Sequence, residues 1–379
     1  MGGKRKGTPK YQEIVNDLKH ALASGRYKPG DRLPTEFELV KSFGTSRITV
    51  NRALRELQLG GLIERRAGSG SYVSATAAKS YTFGLLIPEL GQTEIFEPIC
   101  RGMAEAEQAE HHSLLWTKSI ADSATREAEA IELCRQLVAK KVSGVFFAPL
   151  ELTPGKDATN QSITEVFDEA GIPVVLLDRD LVAYPERSRY DLVGIDNRRA
   201  GYAITAHLLK MGCKRPVFIG RPRSAPTVDA RVAGFREALF GAGLAVRPDS
   251  VWRIEPSDDT EVRRVMEQAR PDGVVCANDF TAANLMKVLN EIGVSVPGEV
   301  RVAGFDDVKY ASLLPVPLTT IRQPCVELGA TAVFTMMARL RNPGHPPRDI
   351  LLDFKLVVRQ SCGSLSHQSE PSPLQATTA

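Results

Sequence analysis

The sequence lacks the features that mark membrane, secreted and metal-binding proteins. No stretch of its 379 residues is apolar for long enough to cross a bilayer, and the start MGGKRKGTPK has no apolar run typical of a signal peptide. The six cysteines are far apart and form no CxxC pair, as expected of buried thiols in a reducing compartment. His111 and His112 are neighbours, but no further ligand stands at zinc spacing. We therefore expect a cytoplasmic protein with no membrane partner, no metal site and no cofactor.

Short motifs of several enzyme classes are also absent. The sequence contains no Walker loop, no GxGxxG after a predicted strand and no GxSxG nucleophile elbow. We find neither a cofactor lysine nor paired carboxylates at catalytic spacing. Apolar residues at 43% and charged residues at 25% argue against wholesale disorder. We therefore expect a folded chain of two or three domains that is not an enzyme.

Positive charge is concentrated at the N-terminal end. Residues 1–79 contain fifteen Lys and Arg against seven Asp and Glu, a net charge of +8, whereas the remainder has 33 against 38, a net charge of −5. A small domain with clustered positive charge is typical of a phosphate-binding surface, because neutralised phosphates release condensed counterions. A solvated basic face is the alternative, so the motifs have to decide.

The first seventy-five residues predict a helix-turn-helix. Apolar residues recur at helical spacing from Tyr11 to Ser24, which predicts a first helix. Thr35 is a capping candidate for a second helix, and Ser46 can cap a third. Gly44 separates the second helix from the third. Two short helices joined by a tight glycine turn are typical of a helix-turn-helix.

A short hairpin follows these helices. LIER and GSYV predict two strands joined by RAGS, which we interpret as a wing. The segment GDRLPTEFELVKSFGTSRITVNRALRELQLGGLIERRAGSGSYV closely resembles the DNA-binding domain of the GntR family. LPTE, SRITVNRAL and the wing occur in order and at the family's spacing. We therefore predict a winged helix-turn-helix over residues 8–75.

The resemblance implies that the third helix enters the major groove. An arginine can bind guanine bidentately, asparagine suits adenine, and serine or threonine oxygens suit phosphates, although each could equally clamp a phosphate. Phe37 and Asn51 stand where many family members have arginine, so we expect a different operator half-site. The predicted DNA contacts are Thr35, Ser46, Arg47, Thr49, Asn51, Arg65, Arg66, Gly68 and Gly70.

From about residue 80 onward, apolar strands alternate with amphipathic helices. FGLLIP, GVFFAP and PVVLLD belong to a first set, and DLVGID, PVFIG and VVCAN to a second. This alternation predicts parallel sheets covered on both faces. The predicted fold class is therefore α/β, with two doubly wound units in tandem and crossovers near 180–195 and 322–325.

Three long motifs of this region resemble the LacI-type effector-binding domain, which is itself similar to periplasmic sugar-binding proteins. They are IDNRRAGYAITAHLLKMGCKRPVFIG, DARVAGFREAL and GVVCANDFTAANLMKVLNEIGVSVPGEVRVAGFDD. The resemblance implies a two-lobed, periplasmic-binding-protein-like domain over residues 81–363. Residues 76–80 are then a linker, and the polar tail 364–379 is expected to be disordered.

Polar residues that follow strands are the candidate effector contacts, because ligands of open α/β sheets bind beyond the carboxyl ends of strands. The resemblance implies that three of them hydrogen-bond the effector, typically a sugar, and their groups suit hydroxyls. The alternative is that Asp306 caps a helix or turn and that Asn278 holds a loop in place. The candidates are Glu89, Pro149, Asp178, Arg231, Asn278 and Asp306.

The combination of these two regions resembles arabinose-responsive repressors. It predicts a homodimer that binds operator DNA and represses carbohydrate-use genes until a sugar or related polyol closes the lobes. A purine or nucleoside effector and an activating role are the alternatives within this class. A winged-helix-fused sugar-processing enzyme or aminotransferase, and a nucleoid or scaffold protein, are alternatives from other classes.

Overall fold

The structure of the chain is a computed structural model, which describes residues 9–23, 26–59, 61–66, 68–74, 81–87, 95–106, 109, 112–116 and 125–364. The predicted linker at 76–80, Glu89 and the predicted tail from residue 365 onward lie outside these described residues. No helix within the described ranges is long and apolar enough to cross a membrane. The same ranges hold no cluster of three side chains that could bind a metal ion.

The N-terminal head consists of three helices and a two-stranded hairpin. Thr35 caps the second helix through a capping box with Glu38, and Gly44 ends that helix in the left-handed conformation, with φ +56°. The three helices and the hairpin share one apolar core, which includes Ile14, Leu54 and Leu57. The elements are α1 (Lys10–Ala23), α2 (Glu36–Phe43), α3 (Arg47–Leu59), β1 (Ile63–Arg66) and β2 (Gly70–Val73).

The first lobe is a parallel sheet of six described strands with helices packed on its faces. Its central strands are apolar along their whole length because both faces of the sheet are buried. The strands are β3 (Thr82–Leu86), β4 (Ser113–Trp116), β5 (Gly144–Phe147), β6 (Val174–Leu177), β7 (Asp191–Ile195) and β13 (Asp349–Leu352), in the order β13-β7-β6-β5-β3-β4. The helices are α4 (Phe96–Glu105), α5 (Arg126–Ala139), α6 (Lys156–Glu169) and α11 (Cys325–Arg341).

The second lobe repeats this plan, with one antiparallel edge strand. Its sheet has the order β14-β12-β11-β10-β8-β9, and β14 runs antiparallel to β12. The strands are β8 (Pro216–Gly220), β9 (Val251–Arg253), β10 (Gly273–Cys276), β11 (Arg301–Asp306), β12 (Thr319–Arg322) and β14 (Lys355–Val357). The helices are α7 (Asn197–Lys210), α8 (Pro226–Gly241), α9 (Asp259–Ala269) and α10 (Asp279–Glu291).

The chain crosses between the lobes at three places in the described ranges. The sequence predicted the second lobe to begin with DLVGID, but that segment is β7, which pairs with β6 and β13 in the first sheet. The first crossover therefore follows Ile195, at the end of the predicted window. The second lies between β12, which ends at Arg322, and α11, which begins at Cys325. The third joins β13 to β14 and was not predicted. The α/β class, the head and the two-lobed domain are confirmed.

Helix α11 links the second crossover to the head. It begins at Cys325 beside the lobe junction, and its last residue, Arg341, lies against Gly61 at the base of the hairpin. A Cβ atom at Gly61 would stand 2.2 Å from the Arg341 guanidinium carbon, and Gly61 has φ +72°. The positive φ favours glycine at this position, whereas the Arg341 guanidinium could shift to admit a small side chain. Burial lowers the pKa of Arg341 from its ordinary value.

Candidate functional sites

The turn between α2 and α3 is held by side-chain caps. The backbone N–H of Thr49 donates to Ser46 Oγ at 3.3 Å, and the hydroxyls of the two residues lie 2.9 Å apart. Thr35 caps α2 in the same way, since its Oγ1 accepts from the Glu38 N–H at 3.3 Å. These predicted contact residues therefore also fix the starts of α2 and α3, and both helix starts lie at the surface.

Glu36 organises the charged face of the head. Its Oε2 accepts from Arg47 Nε at 2.8 Å and from Asn51 Nδ2 at 3.1 Å, and its Oε1 accepts from Arg65 Nη2. Arg65 also donates to Asn51 Oδ1 at 2.9 Å. The hydrogen bond from Arg47, assisted by the nearby positive charges, holds the pKa of Glu36 below its ordinary value. We call Glu36, Arg47, Asn51 and Arg65 the head network.

A cavity of about 620 Å³ separates the head network from the tip of the hairpin. The glycines of the tip have positive φ, +72° at Gly68 and +118° at Gly70, which lets the strands turn sharply. Arg66 packs over the Tyr72 ring, with its guanidinium carbon 4.6 Å from the ring centroid. Of the predicted DNA contacts, the cavity is lined by Thr35, Arg47, Arg65, Arg66, Gly68 and Gly70.

Arg231 lies buried at the junction of the two lobes. Its Nε donates to Asn197 Oδ1 at 2.8 Å, and its Nη1 donates to the Ala277 carbonyl at 2.6 Å. Its Nη2 lies 3.9 Å from Asp306 Oδ1, and the guanidinium stacks over Phe305 with its carbon 4.4 Å from the ring centroid. These contacts, made with residues at strand ends and a helix start of the second lobe, hold the Arg231 guanidinium in one orientation.

A second arginine, Arg179, belongs to the first lobe. It follows β6 and forms ion pairs with Glu151, through Nη1, and with Asp178, where Nε lies 3.3 Å from Oδ2. The negative charge of Asp306, in the second lobe, also raises the pKa of Arg179. We call Glu151, Asp178, Arg179, Arg231 and Asp306 the lobe cluster.

Hydrogen bonds join the lobes beside this cluster. The Ala225 N–H of the second lobe donates to Glu151 Oε2 at 3.0 Å, and the Leu152 N–H of the first lobe donates to the Arg223 carbonyl at 2.8 Å. Lys309 and Glu97 face each other across the lobes at 3.8 Å. Two hydrogen bonds and one ion pair therefore join the two lobes in the described structure.

Electrostatics differ from residue to residue within the lobe cluster. Burial raises the pKa of Asp306, although Arg231 and a hydrogen bond from Gln323 oppose the rise. Burial would likewise raise the pKa of Glu151, but the charge of Arg179 and the hydrogen bonds from Arg179 and the Ala225 N–H together outweigh it and hold that pKa below its ordinary value. For Arg179, burial is outweighed by the charges of Glu151 and Asp178, and its pKa is raised.

Two features of the lobe cluster are typical of a binding site. Asp178 and Asp306 have φ +67° and +109°, a strained backbone region that L-residues rarely adopt. Asp178 Oδ1 and Gln323 Oε1 are buried and have no hydrogen-bond partner among the described residues. Such unpartnered groups cost free energy unless a ligand or water meets them. A cavity of about 560 Å³ reaches Asp306 and Gln323 from the surface.

The structure brings three of the six predicted effector contacts together. Asp178, Arg231 and Asp306 lie in the lobe cluster. Asn278 caps α10 by accepting from the Thr281 N–H at 2.9 Å, and it follows Ala277, whose carbonyl binds Arg231. Pro149 is buried two residues before Glu151. Glu89 lies outside the described residues.

Sequence reasoning missed Glu36, Glu151, Arg179 and Gln323. Glu36 was visible in the LPTE motif but was not assigned a role. Arg179 directly follows Asp178 after the PVVLLD strand, so the strand-end rule that selected Asp178 could also have found Arg179. Gln323 directly follows β12, so the same rule could have found it too. Glu151 stands four residues after β5, and its partner Arg179 lies 28 residues later, so Glu151 gives no such signal.

Comparison with protein families finds two matches, in the same order as the two structural regions. The family described as "Bacterial regulatory proteins, gntR family" matches residues 10–73. The family described as "Periplasmic binding protein-like domain" matches residues 205–362.

Similar proteins are named as transcription regulators and not as enzymes. The arabinose metabolism transcriptional repressor of Geobacillus stearothermophilus is 29% identical over 94% of this chain and 99% of its own length. The HTH-type transcriptional repressor PurR of Vibrio campbellii is 30% identical over 61% of this chain and 68% of its own length. A LacI family transcriptional regulator from Enterococcus faecium, solved with bound ribose, shares the fold. Its TM-score is 0.60 at 24% identity, over 74% of this chain and 98% of that one.

Proposed function

Because this chain belongs to the bacterial transcription regulators, with a gntR-family head joined to a periplasmic binding protein-like domain of LacI type, we propose that it represses carbohydrate-use genes and releases its operator when a sugar binds. The observation that carries the proposal is the lobe cluster with the adjoining Gln323, in which buried and partly buried charged side chains of both lobes leave Asp178 Oδ1 and Gln323 Oε1 unpartnered. Sugar hydroxyls can donate to both of these atoms.

We propose that the effector binds between the lobes, against Asp178, Arg231 and Asp306. Arginine presents a fork of donors, and each carboxylate can accept from two hydroxyls. Asn278 and Pro149 border this place, and Glu89 is proposed to face it as well. A ligand held by groups of both lobes favours the closed arrangement, because it binds the open arrangement with fewer contacts.

We propose that residues 8–75 form the DNA-binding domain and residues 81–363 the effector domain, joined by a linker at 76–80 and followed by a tail at 364–379. The predicted contacts of α3 and the wing then lie on the duplex: Thr35, Ser46, Arg47, Thr49, Asn51, Arg65, Arg66, Gly68 and Gly70. The protein acts as a homodimer in the cytoplasm, with one head on each half-site. Analytical ultracentrifugation tests the dimer, and a monomer at micromolar concentration contradicts it.

Operator binding in the presence of candidate effectors tests the proposed function. An operator is selected from promoter fragments with the full-length protein, and its affinity is measured with a panel of pentoses, hexoses, purines and nucleosides. Arabinose is the first candidate because one relative is named for arabinose metabolism. We expect one sugar to weaken operator binding by about 5- to 150-fold, the usual range of allosteric coupling.

A purine effector is the second candidate, because another relative is named PurR. Weakening or strengthening of operator binding by a purine or nucleoside, with no effect of any sugar, favours it. If a sugar strengthens operator binding, the result supports a sugar effector but contradicts release of the operator by that sugar. As a matched control, Arg231→Ala should still bind the operator but lose the response to the sugar, since the hydrogen bonds and the stacking contact of Arg231 are made with residues of the second lobe.

A further inference from the structure

Ile48 points away from the core of the head. It precedes the buried Val50 by two residues of α3, which is about half a turn. Leu54 and Leu57 are buried on the Val50 side, whereas the Ile48 side chain is 83% exposed. A branched aliphatic side chain therefore projects outward from the first turn of α3, between Arg47 and Thr49.

The same region carries a second exposed apolar side chain. Phe37, the second residue of α2, is 76% exposed and lines the cavity between the head network and the hairpin tip. Surface apolar residues are common, so exposure by itself indicates nothing. The position is what matters here, since Ile48 lies at the end of α3 that also carries Arg47 and Asn51, on a segment with net charge +8.

The major groove of DNA offers one apolar group that such a side chain can contact. The N-terminal residues of the second helix of a helix-turn-helix contact base edges, and the C5-methyl group of thymine is the apolar feature exposed in that groove. Ile48 has no polar atom in its side chain, so the side chain can neither bind a phosphate nor read a donor or acceptor. The positive charge of the head attracts it to the duplex, and Ile48 stands at the end of α3 where helix-turn-helix proteins contact base edges.

We propose that Ile48 reads the methyl group of one thymine in each operator half-site. This inference rests on the proposed function, because it requires an operator, and it adds a specificity contact to it. Uracil lacks only the methyl group, so a uracil at that position removes the contact and preserves base pairing. Loss of one buried methyl group should weaken binding about fourfold.

The test is a uridine scan of the selected operator. Each thymine of one half-site is replaced in turn by deoxyuridine, and the affinity of the full-length protein is measured by fluorescence anisotropy at fixed salt. The same series is measured with Ile48→Ala. Leu59→Ala is the matched control, because Leu59 is also apolar and 55% exposed but lies about 16 Å further along α3.

We expect one thymine whose replacement weakens wild-type and Leu59→Ala binding about fourfold and leaves Ile48→Ala binding unchanged. A selected operator with no uridine-sensitive position, or equal losses in wild type and Ile48→Ala, would overturn this inference alone. If the sensitivity to uridine disappears in Phe37→Ala and persists in Ile48→Ala, the inference is overturned and the thymine contact belongs to Phe37. If the protein selects no sequence at all, the proposed function and this inference both fail.

Discussion

The head network and the lobe cluster are built from the same residue types but in opposite surroundings. In the head, Arg47 is 80% exposed at its side chain and pairs with Glu36 at the surface, whereas Arg179 in the lobe cluster is 6% exposed. Exposed ion pairs contribute about 0–1 kcal/mol, so breaking one costs little free energy. Buried pairs are costly to break, because the remaining charge is left without compensation. The head network is thus suited to a partner that displaces its ion pairs. The lobe cluster is suited to a ligand that supplies its missing hydrogen bonds.

Arg179→Ala should have the largest effect on stability. It leaves Glu151 and Asp178 at the lobe junction without their cation, which costs about 3–5 kcal/mol by the usual cost of a broken buried pair. Urea unfolding of the two-lobed domain, followed by fluorescence, measures it. The control is Arg263→Ala, because Arg263 forms an exposed pair with Asp259 and its loss should cost under about 1 kcal/mol. Equal losses in the two variants would remove the distinction between buried and exposed ion pairs on which the comparison rests.

Arg47→Ala should be nearly neutral for folding and harmful for DNA recognition. Its side chain is exposed and contacts Glu36, so the melting temperature should stay within about a degree or two. Operator affinity should fall about tenfold or more, since a bidentate base contact contributes about 1–3 kcal/mol of discrimination. The same affinity measurement on random duplex separates base reading from phosphate binding. A loss of the same size on both DNAs would assign Arg47 to a phosphate.

Glu151→Gln should change the pH dependence of stability. The folded-state pKa of Glu151 is lowered, so its carboxylate contributes stability that is present above its ordinary pKa and is lost as the pH falls through the folded value. Urea unfolding at a series of pH values should show the wild type more stable near pH 7, with the advantage over Glu151→Gln shrinking below about pH 4.5. An advantage that stays constant down to pH 3 would exclude the ionised Glu151–Arg179 pair as its source.

Glu36→Gln should have the smallest effect. Removing the carboxylate frees Arg47 and Arg65 from their shared acceptor and removes a negative charge from the surface that we propose to meet DNA. We expect the affinity for random duplex to rise a few-fold and the salt dependence to become steeper. Selectivity for the operator should fall at the same time. A decrease in affinity for random duplex would mean that Glu36 is needed to position the two arginines.

Much of the fold was predictable because its signals are local. The caps at Thr35 and Ser46, the turn at Gly44 and the apolar strands were all visible in the sequence and were confirmed. The membership of β7 in the first sheet and the third crossover were not predictable. β7 pairs with the preceding strand β6, but its other partner is β13, which lies more than 150 residues later in the chain and begins the third crossover. No local sequence pattern indicates that β7 pairs with a strand so far away in the chain.

The candidate sites were predictable only where a residue follows a strand or belongs to a motif. Asp178, Arg231 and Asp306 satisfied that rule, and the structure brings them together. The carboxylate that pairs with Arg179 lies 28 residues earlier, and the one that joins Arg47 to the hairpin lies 29 residues before Arg65. These partnerships are made by tertiary packing. They set the pKa values of Glu36 and Glu151, and the residue types alone do not reveal them.

The most direct test of the account is the reciprocity of its two sites. The affinity of the full-length protein for its sugar is measured by calorimetry with and without saturating operator. If the exposed head network and the buried lobe cluster belong to one coupled equilibrium, operator DNA must weaken sugar binding by the same factor by which the sugar weakens operator binding. An identical sugar affinity in the presence and absence of operator would contradict the account.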